Sequence, residues 1–375
     1  MTDYYLLSTY PAEGSGNVGD HLISDSAIEL IRHVKGNVTF KVVFRGEDLA
    51  PYLEDVNQCR AVIMPGFAVR DPMYPRVYAL TERLSDITVP LIPVGAGWSH
   101  FPGDYEACRS FAFTEATARF LRLIGDQVSL FACREWLTCQ LLSRHGLTNT
   151  RMVGDCAWYH LPSIGMPMRR PTAIRQVAFT TPHRKLYQTQ AISVLRMIVD
   201  LFREARVLCV LQSAPTAGDA SIIREAQLLG CEVMYAGHDI DKLQAYEACD
   251  LHIGYRLHGH LAFLRKRTPS VLLCEDSRGL SASYTLGGGG FSAFQRAVSA
   301  HLLPNTIWSI RGVRTLLSAG VSPFREVLPD DGLPARLRQF LLEEAATDWR
   351  RYIGIGHVID EAFCNDMVPF LRTIP

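Results

Sequence analysis

Short apolar runs that read as strands alternate with amphipathic stretches that read as helices, and this alternation leaves few folds open. In the first half the strand candidates are Tyr4–Ser8, Val38–Phe44, Ala61–Met64, Leu91–Val94, Val128–Ala132 and Arg151–Val153. Between them lie helix candidates at Leu22–His33, Tyr74–Leu84, Tyr105–Leu123 and Glu135–His145. The strand runs are β-branched or aromatic and end at Gly, Pro or Asp, the pattern of βαβ units in a parallel sheet. Pro162, Gly165, Pro167 and Pro171 then interrupt the chain, making Pro162–Pro171 the best linker candidate.

After the break the alternation restarts. Strands are expected at Gln176–Thr180, Arg206–Gln212, Glu232–Ala236, Leu251–Tyr255 and Ser270–Cys274. Helices are expected at Gln188–Glu204, Asp219–Leu229, Asp241–Cys249, Gly259–Arg265 and Ala293–Leu302. A chain of 375 residues exceeds one ordinary core. The expectation is an α/β protein with two Rossmann-like, doubly wound domains, 1–165 and 172–330, facing across a cleft. A tail at 334–375 reads as two helices that pack back on the first domain.

The 38 basic residues balance the 38 acidic ones, so no overall field captures nucleic acid or anionic lipid. A local basic pocket and peripheral membrane contact stay open. The cysteines occur singly, with no Cys-x-x-Cys pair, which disfavours a disulfide framework or a zinc site. The N-terminus has no signal-peptide pattern and no apolar run spans a bilayer, so a soluble, cytoplasmic protein is expected.

The densest chemistry lies in Asp250-Leu-His-Ile-Gly-Tyr-Arg-Leu-His-Gly-His260. The strand from Leu251 stops at Arg256 and His258, and a helix follows. A guanidinium and an imidazole thus stand at the carboxyl end of a strand and beside a helix N-terminus, where open α/β sheets bind ligands and anions are favoured. Arg256 and His258 together point to an anionic substrate and a proton transfer. His258 and His260 can also be read as an H-x-H metal pair, but no Asp or Glu accompanies them within a turn, so no metal is expected. Otherwise His258 is a core histidine bonded to a carbonyl.

Gly14-Ser-Gly-Asn-Val-Gly-Asp20 follows the first strand without the spacing of a dinucleotide fingerprint or a P-loop. Either Asp20 caps the following helix, or Asn17, Gly19 and Asp20 face the cleft and meet a polar acceptor. Glu275-Asp-Ser-Arg278 follows a strand, so Arg278 either holds an anion or pairs with Asp276 in a solvated loop. Arg184, in Thr180-Thr-Pro-His-Arg184, offers another cation at that edge. Gly287 to Gly290 reads as a loop that closes over substrate or merely connects.

In this order the pieces resemble the polysaccharide pyruvyl transferase family. The resemblance rests on Asn17-Val-Gly-Asp20, Val128 to Glu135 ending in Arg-Glu, Val153-Gly-Asp-Cys-Ala157, Arg256-Leu-His-Gly259, Thr268-Pro-Ser-Val-Leu-Leu and Asp276-Ser-Arg278. Two departures are Met64-Pro-Gly-Phe67, where the family often has a run of glycines, and Asp155-Cys-Ala157 in place of Asp-Pro-Ala. The resemblance implies a GT-B-like fold and transfer of pyruvate from phosphoenolpyruvate to two hydroxyls of a sugar. The acceptor would belong to a polysaccharide or its lipid-linked precursor, and the product is a cyclic ketal. It implies Arg256 and Leu257 on the donor with Arg184 and Arg278 helping, His258 as catalytic acid or base, and no cofactor beyond phosphoenolpyruvate as co-substrate. Two rivals remain: a GT-B-type sugar-nucleotide glycosyltransferase, and a non-catalytic protein binding an anionic glycan.

Overall fold

The computed structural model describes residues 2–10, 16–216, 218–296 and 327–375. Strand β1 (Tyr4–Ser8) is buried along its whole length, as a parallel strand covered on both faces must be. It pairs in parallel with β2 (Phe40–Phe44) and β3 (Ala61–Pro65), setting Tyr4 opposite both Phe40 and Ala61. Short β4 (Ala68–Val69) and β6 (Gly97–Trp98) pair beside the main sheet, and β5 (Leu91–Val94) completes the order β2-β1-β3-β5. Ala96 carries the pairing on to β7 (Phe131–Cys133) through 2.8 Å bonds with Ala132 and Arg134, and β7 pairs with β8 (Thr150–Met152).

The second sheet contains β9 (Gln176–Thr180), β10 (Arg206–Leu211), β11 (Glu232–Tyr235), β12 (Leu251–Gly254), β13 (Ser270–Cys274) and β14 (Gly290–Ser292). Its order, β11-β10-β9-β12-β13-β14, is all parallel and is the 3-2-1-4-5-6 order of a Rossmann sheet. An antiparallel pair, β15 (Phe294–Arg296) and β16 (Val327–Pro329), lies outside both sheets.

Helices α1 (Val18–Lys35), α2 (Leu53–Gln58), α3 (Tyr105–Ser110), α4 (Glu115–Gly125) and α5 (Trp136–Arg144) belong to the first lobe. Helices α6 (Gln188–Leu201), α7 (Asp219–Leu228), α8 (Leu257–Leu264) and α9 (Ser277–Leu286) belong to the second. Then follow α10 (Leu333–Ala346), α11 (Arg350–Ala362) and α12 (Val368–Thr373), with a π turn, Phe363–Met367, joining the last two. The end of the chain returns to the first lobe: Lys35 Nζ donates to the Arg372 carbonyl at 3.0 Å, and the Tyr4 hydroxyl donates to that of Pro375. The molecule is therefore two Rossmann-like, doubly wound sheets facing each other across a cleft, a GT-B-like arrangement.

Several expected elements differ. Tyr74–Leu84 is a turn and an extended loop. Pro75 disfavours helix at Tyr74, and Leu80 has φ 52°, a left-handed conformation inside the segment. Leu80 instead accepts a bond from Leu49 N and bridges to Asp48. The single helix Tyr105–Leu123 is two, α3 and α4, because Thr114 caps α4 and is itself held by Asp71. Asp241–Cys249 is a 3-10 helix, Ile240–Ala248. Where a helix at Ala293–Leu302 was expected, 294–296 forms β15; residues 297–302, like Gly14, lie outside the described residues. Glu275–Arg278 opens α9 instead of forming a loop, with Asp276 accepting from Arg278 N as its cap. The glycines at 287–290 end α9 and begin β14 beside Ser270 and Ile355, so they connect and lie at the amino end of β13, away from the cleft.

Candidate active site

Each sheet has one place where neighbouring connections run in opposite directions, and a crevice opens there at the carboxyl ends of the strands. In the first sheet it lies between β1 and β3, and Thr9 and Gly66 follow those strands. In the second it lies between β9 and β12, followed by His183 and Arg256. The two crevices face one another. A cavity of about 190 Å³ between them is lined from both sides, by Thr9, Asp20, Arg45, Arg70 and Arg134 and by His183, His258 and Arg278. A smaller recess beside it is lined by Asn17, His183, Arg256, Leu257, Glu275 and Arg278, with His258 bordering both spaces.

His258 sits at the second position of α8 and is 8% exposed. Its Nε2 lies 3.6 Å from Asp155 Oδ2, across the lobes. That is ion-pair distance, longer than a hydrogen bond, and neither atom has a hydrogen-bond partner among the described residues. Asp155 is 1% exposed and its other oxygen accepts from Ala157 N at 2.8 Å. Burial pushes the Asp155 carboxyl up, but His258 and Arg134 overcome this and hold it below its ordinary value. The opposite side of the His258 ring faces Gly19 in the first turn of α1. A Cβ there would stand 2.7 Å from His258 Cβ and 2.9 Å from Nδ1, so only glycine fits.

Arginines surround this ring. Arg256 Nη2 donates to Ser213 Oγ at 2.6 Å, and Nη1 lies 3.2 Å from His183 Nδ1, while its Nε is buried without a partner. Arg278 makes a two-pronged pair with Asp276, 2.7 Å at the shortest. Arg134 is 6% exposed, donates to Glu135 at 2.7 Å, lies 3.6 Å from Asp155, and keeps a buried, unpartnered Nη2. Glu275 accepts from His183 N and Arg184 N at 3.0 and 2.9 Å, fixing the loop after β9. Burial raises the Glu275 carboxyl to about 7, and likewise that of Glu135. Burial, then Arg256 and Arg278, push His183 below the usual imidazole range. Buried guanidinium N–H groups without partners, beside a titratable ring, make a site for an anion with more than one charged group.

A family model described as polysaccharide pyruvyl transferase matches residues 17–276. The chain belongs to this family. No curated protein sequence matches it. Among solved structures it is similar to HepE from Anabaena in complex with UDP and glucose, at 11% identity and TM-score 0.48 over 100% of this chain and 98% of that one. It is also similar to the Methanocaldococcus jannaschii UDP-GlcNAc 2-epimerase in complex with UDP-GlcNAc and UDP, at 11% identity and TM-score 0.42 over 92% and 100%.

In this pyruvyl transferase family member the matched span runs from Asn17 to Asp276 and so includes Asp20, Arg134, Asp155, Arg256 and His258. The structure gathers Arg256, Leu257, His258, Arg278, Asn17, Gly19 and Asp20 at the cleft. Asn17, not Asp20, caps α1, its side chain accepting from Gly19 N at 3.1 Å; Asp20 lies one position short of the first turn's end and lines the larger cavity. Arg184 is the exception. Its guanidinium stacks on Phe101 at 4.1 Å and reaches 4.0 Å from Asp276, while neighbouring His183 lines the cavity. His260 is a core histidine: it is fully buried, its Nδ1 lies 2.7 Å from Ser270 Oγ, and burial pushes it down to about 3. Among the described residues no three His, Cys, Asp or Glu side chains converge to hold a metal. Sequence reading passed over His183, Arg45, Arg70 and the functional setting of Arg134 and Asp155. Arg134, Asp155 and His183 carried a signal, as part of short motifs ending strands, whereas Arg45 and Arg70 carried none.

Proposed function

We infer that the protein transfers pyruvate from phosphoenolpyruvate to two hydroxyls of a sugar in a polysaccharide or its precursor, forming a cyclic ketal and releasing phosphate. The observation that carries this reading is the buried imidazole of His258, ringed by arginines from both lobes. Phosphoenolpyruvate carries a carboxylate and a phosphate, and Arg256, Arg278 and Arg134 with the amino end of α8 at Leu257 supply matching donors. Arg184 acts less directly, through the loop that Glu275 holds.

His258 delivers a proton to the methylene carbon of the enol. The resulting carbocation at C2 is attacked by one sugar hydroxyl, whose proton leaves to the base form of His258. The second hydroxyl then attacks C2 and the C–O bond to phosphate breaks. One hydroxyl proton ends on the new methyl group and the other on phosphate, so the imidazole is regenerated. In this reading the 172–330 lobe holds the donor, with Arg134 reaching across from the 1–165 lobe, and Asn17, Gly19 and Asp20 of that lobe face the acceptor. The reaction belongs in the cytoplasm, where phosphoenolpyruvate is made.

The test is phosphate release from phosphoenolpyruvate across candidate glycans, with products checked for ketal mass. His258→Ala and His258→Gln should lower turnover about 10²–10⁴-fold. Near-normal turnover in both would refute the catalytic role. Arg256→Lys should weaken donor binding, because an ammonium lacks the planar fork.

A further inference from the structure

The larger cavity holds more positive charge than phosphoenolpyruvate needs. Arg256 lines only the small recess, whereas Arg45 and Arg70 line only the larger cavity. Arg45 follows β2 of the first sheet and Arg70 follows the short β4 beside it, so both come from the first lobe, whereas Arg256 and Arg278 come from the second. The nearby carboxylates are already engaged: Asp276 by Arg278, Glu135 by Arg134, Asp155 by His258 and Arg134. Asp20 also lines this cavity. Arg70 Nε is buried with no hydrogen-bond partner among the described residues. Arg45 lies with its guanidinium 5.5 Å from the ring of fully buried Tyr78 and within reach of its hydroxyl, which also accepts from Ala68 N. Burial, and after it the neighbouring Arg45 and Arg278, make Arg70 a weaker base than usual, with Asp20 opposing the shift.

Resting on the pyruvyl transfer reading, we propose that the acceptor is itself an anion, a sugar carrying a phosphoryl or carboxylate group that seats on Arg45 and Arg70. Its hydroxyls then point toward His258 at the centre of the cavity, while the donor fills the Arg256 side. Both ligands bring negative charge, so each needs its own pair of guanidinium groups.

Calorimetric titration of the full chain saturated with phosphoenolpyruvate tests this, using inorganic pyrophosphate, glucose 1-phosphate, glucuronate and methyl glucoside as probes. Pyrophosphate and at least one anionic sugar should bind, methyl glucoside at least about tenfold more weakly. Which of glucose 1-phosphate and glucuronate binds tighter identifies the charged group. Arg45→Gln and Arg70→Gln should each weaken the anionic probes about tenfold while leaving the Kd for phosphoenolpyruvate within about twofold, and Arg→Lys at either site should restore part of the binding. Methyl glucoside binding as tightly, no probe binding, or probes unaffected by both variants would overturn the proposal. Probe binding that depends on Arg45 and Arg70 in a protein that does not bind phosphoenolpyruvate would keep this site and sink the donor reading instead.

Discussion

His258 is gripped on two sides, by the Asp155 carboxylate at Nε2 and by the bare backbone of Gly19 near Nδ1. Gly19→Ala should therefore displace the ring and cut turnover about 10²-fold or more, with far less effect on thermal stability than a core truncation. Steady-state kinetics beside a melting curve checks the split. Asp155→Asn keeps the shape but removes the charge facing His258, and should lower kcat by about tenfold to a hundredfold while leaving KM for phosphoenolpyruvate nearly unchanged. An equal rise in KM would make Asp155 a donor-binding group instead. Arg256 and His258 were legible in the sequence because a strand end and a helix start fix both within three residues. Their partners were not. Asp155 meets His258 from the other lobe, and no local pattern reports a contact between residues about a hundred positions apart.

The strands and helices that carry these residues were mostly legible, since continuous apolar runs mark strands covered on both faces and a 3.6-residue apolar period marks helices. Tyr74–Leu84 was misread because apolar spacing imitated a helix where prolines and a left-handed Leu80 forbid one. The helix α9 was missed because its apolar content is low and its start lies in a charged tetrapeptide. At that start Glu275 titrates near neutrality, pushed up to about 7 by burial, as does Glu135 on the next lobe. A carboxyl raised in the folded state stabilises below its ordinary value near 4.3 and loses that contribution as pH rises through about 7. Asp155 and Asp276, both held low, act oppositely and only in acid, as pH falls below about 4. The imidazoles of His160, His183, His252 and His260, all held low by burial, act in the opposite sense over part of this window, so the carboxyl is read by difference: the melting temperature of Glu275→Gln minus that of the unaltered protein should rise by about a few degrees between pH 5 and 7.5. A difference that stays flat or falls across this window would contradict the burial of Glu275 in its neutral form.

Across the whole molecule the lobes are stitched together around the cavity. Val18 N donates to Gln212 O at 3.0 Å, Ser277 Oγ donates to Trp98 O at 2.8 Å and accepts from His100 N, and Arg265 donates to Ser26. Ser277→Ala removes two of these bonds at once and should cost about 1–2 kcal/mol, read by urea unfolding, while raising KM for both substrates together. No helix among the described residues is long and apolar enough to cross a membrane. The most direct test of the account is a crystal structure with phosphoenolpyruvate bound. It should show the carboxylate and phosphate against Arg256, Arg278 and Arg134, with the methylene carbon within reach of His258. Phosphoenolpyruvate bound elsewhere, or bound with its methylene carbon turned away from His258, would contradict it.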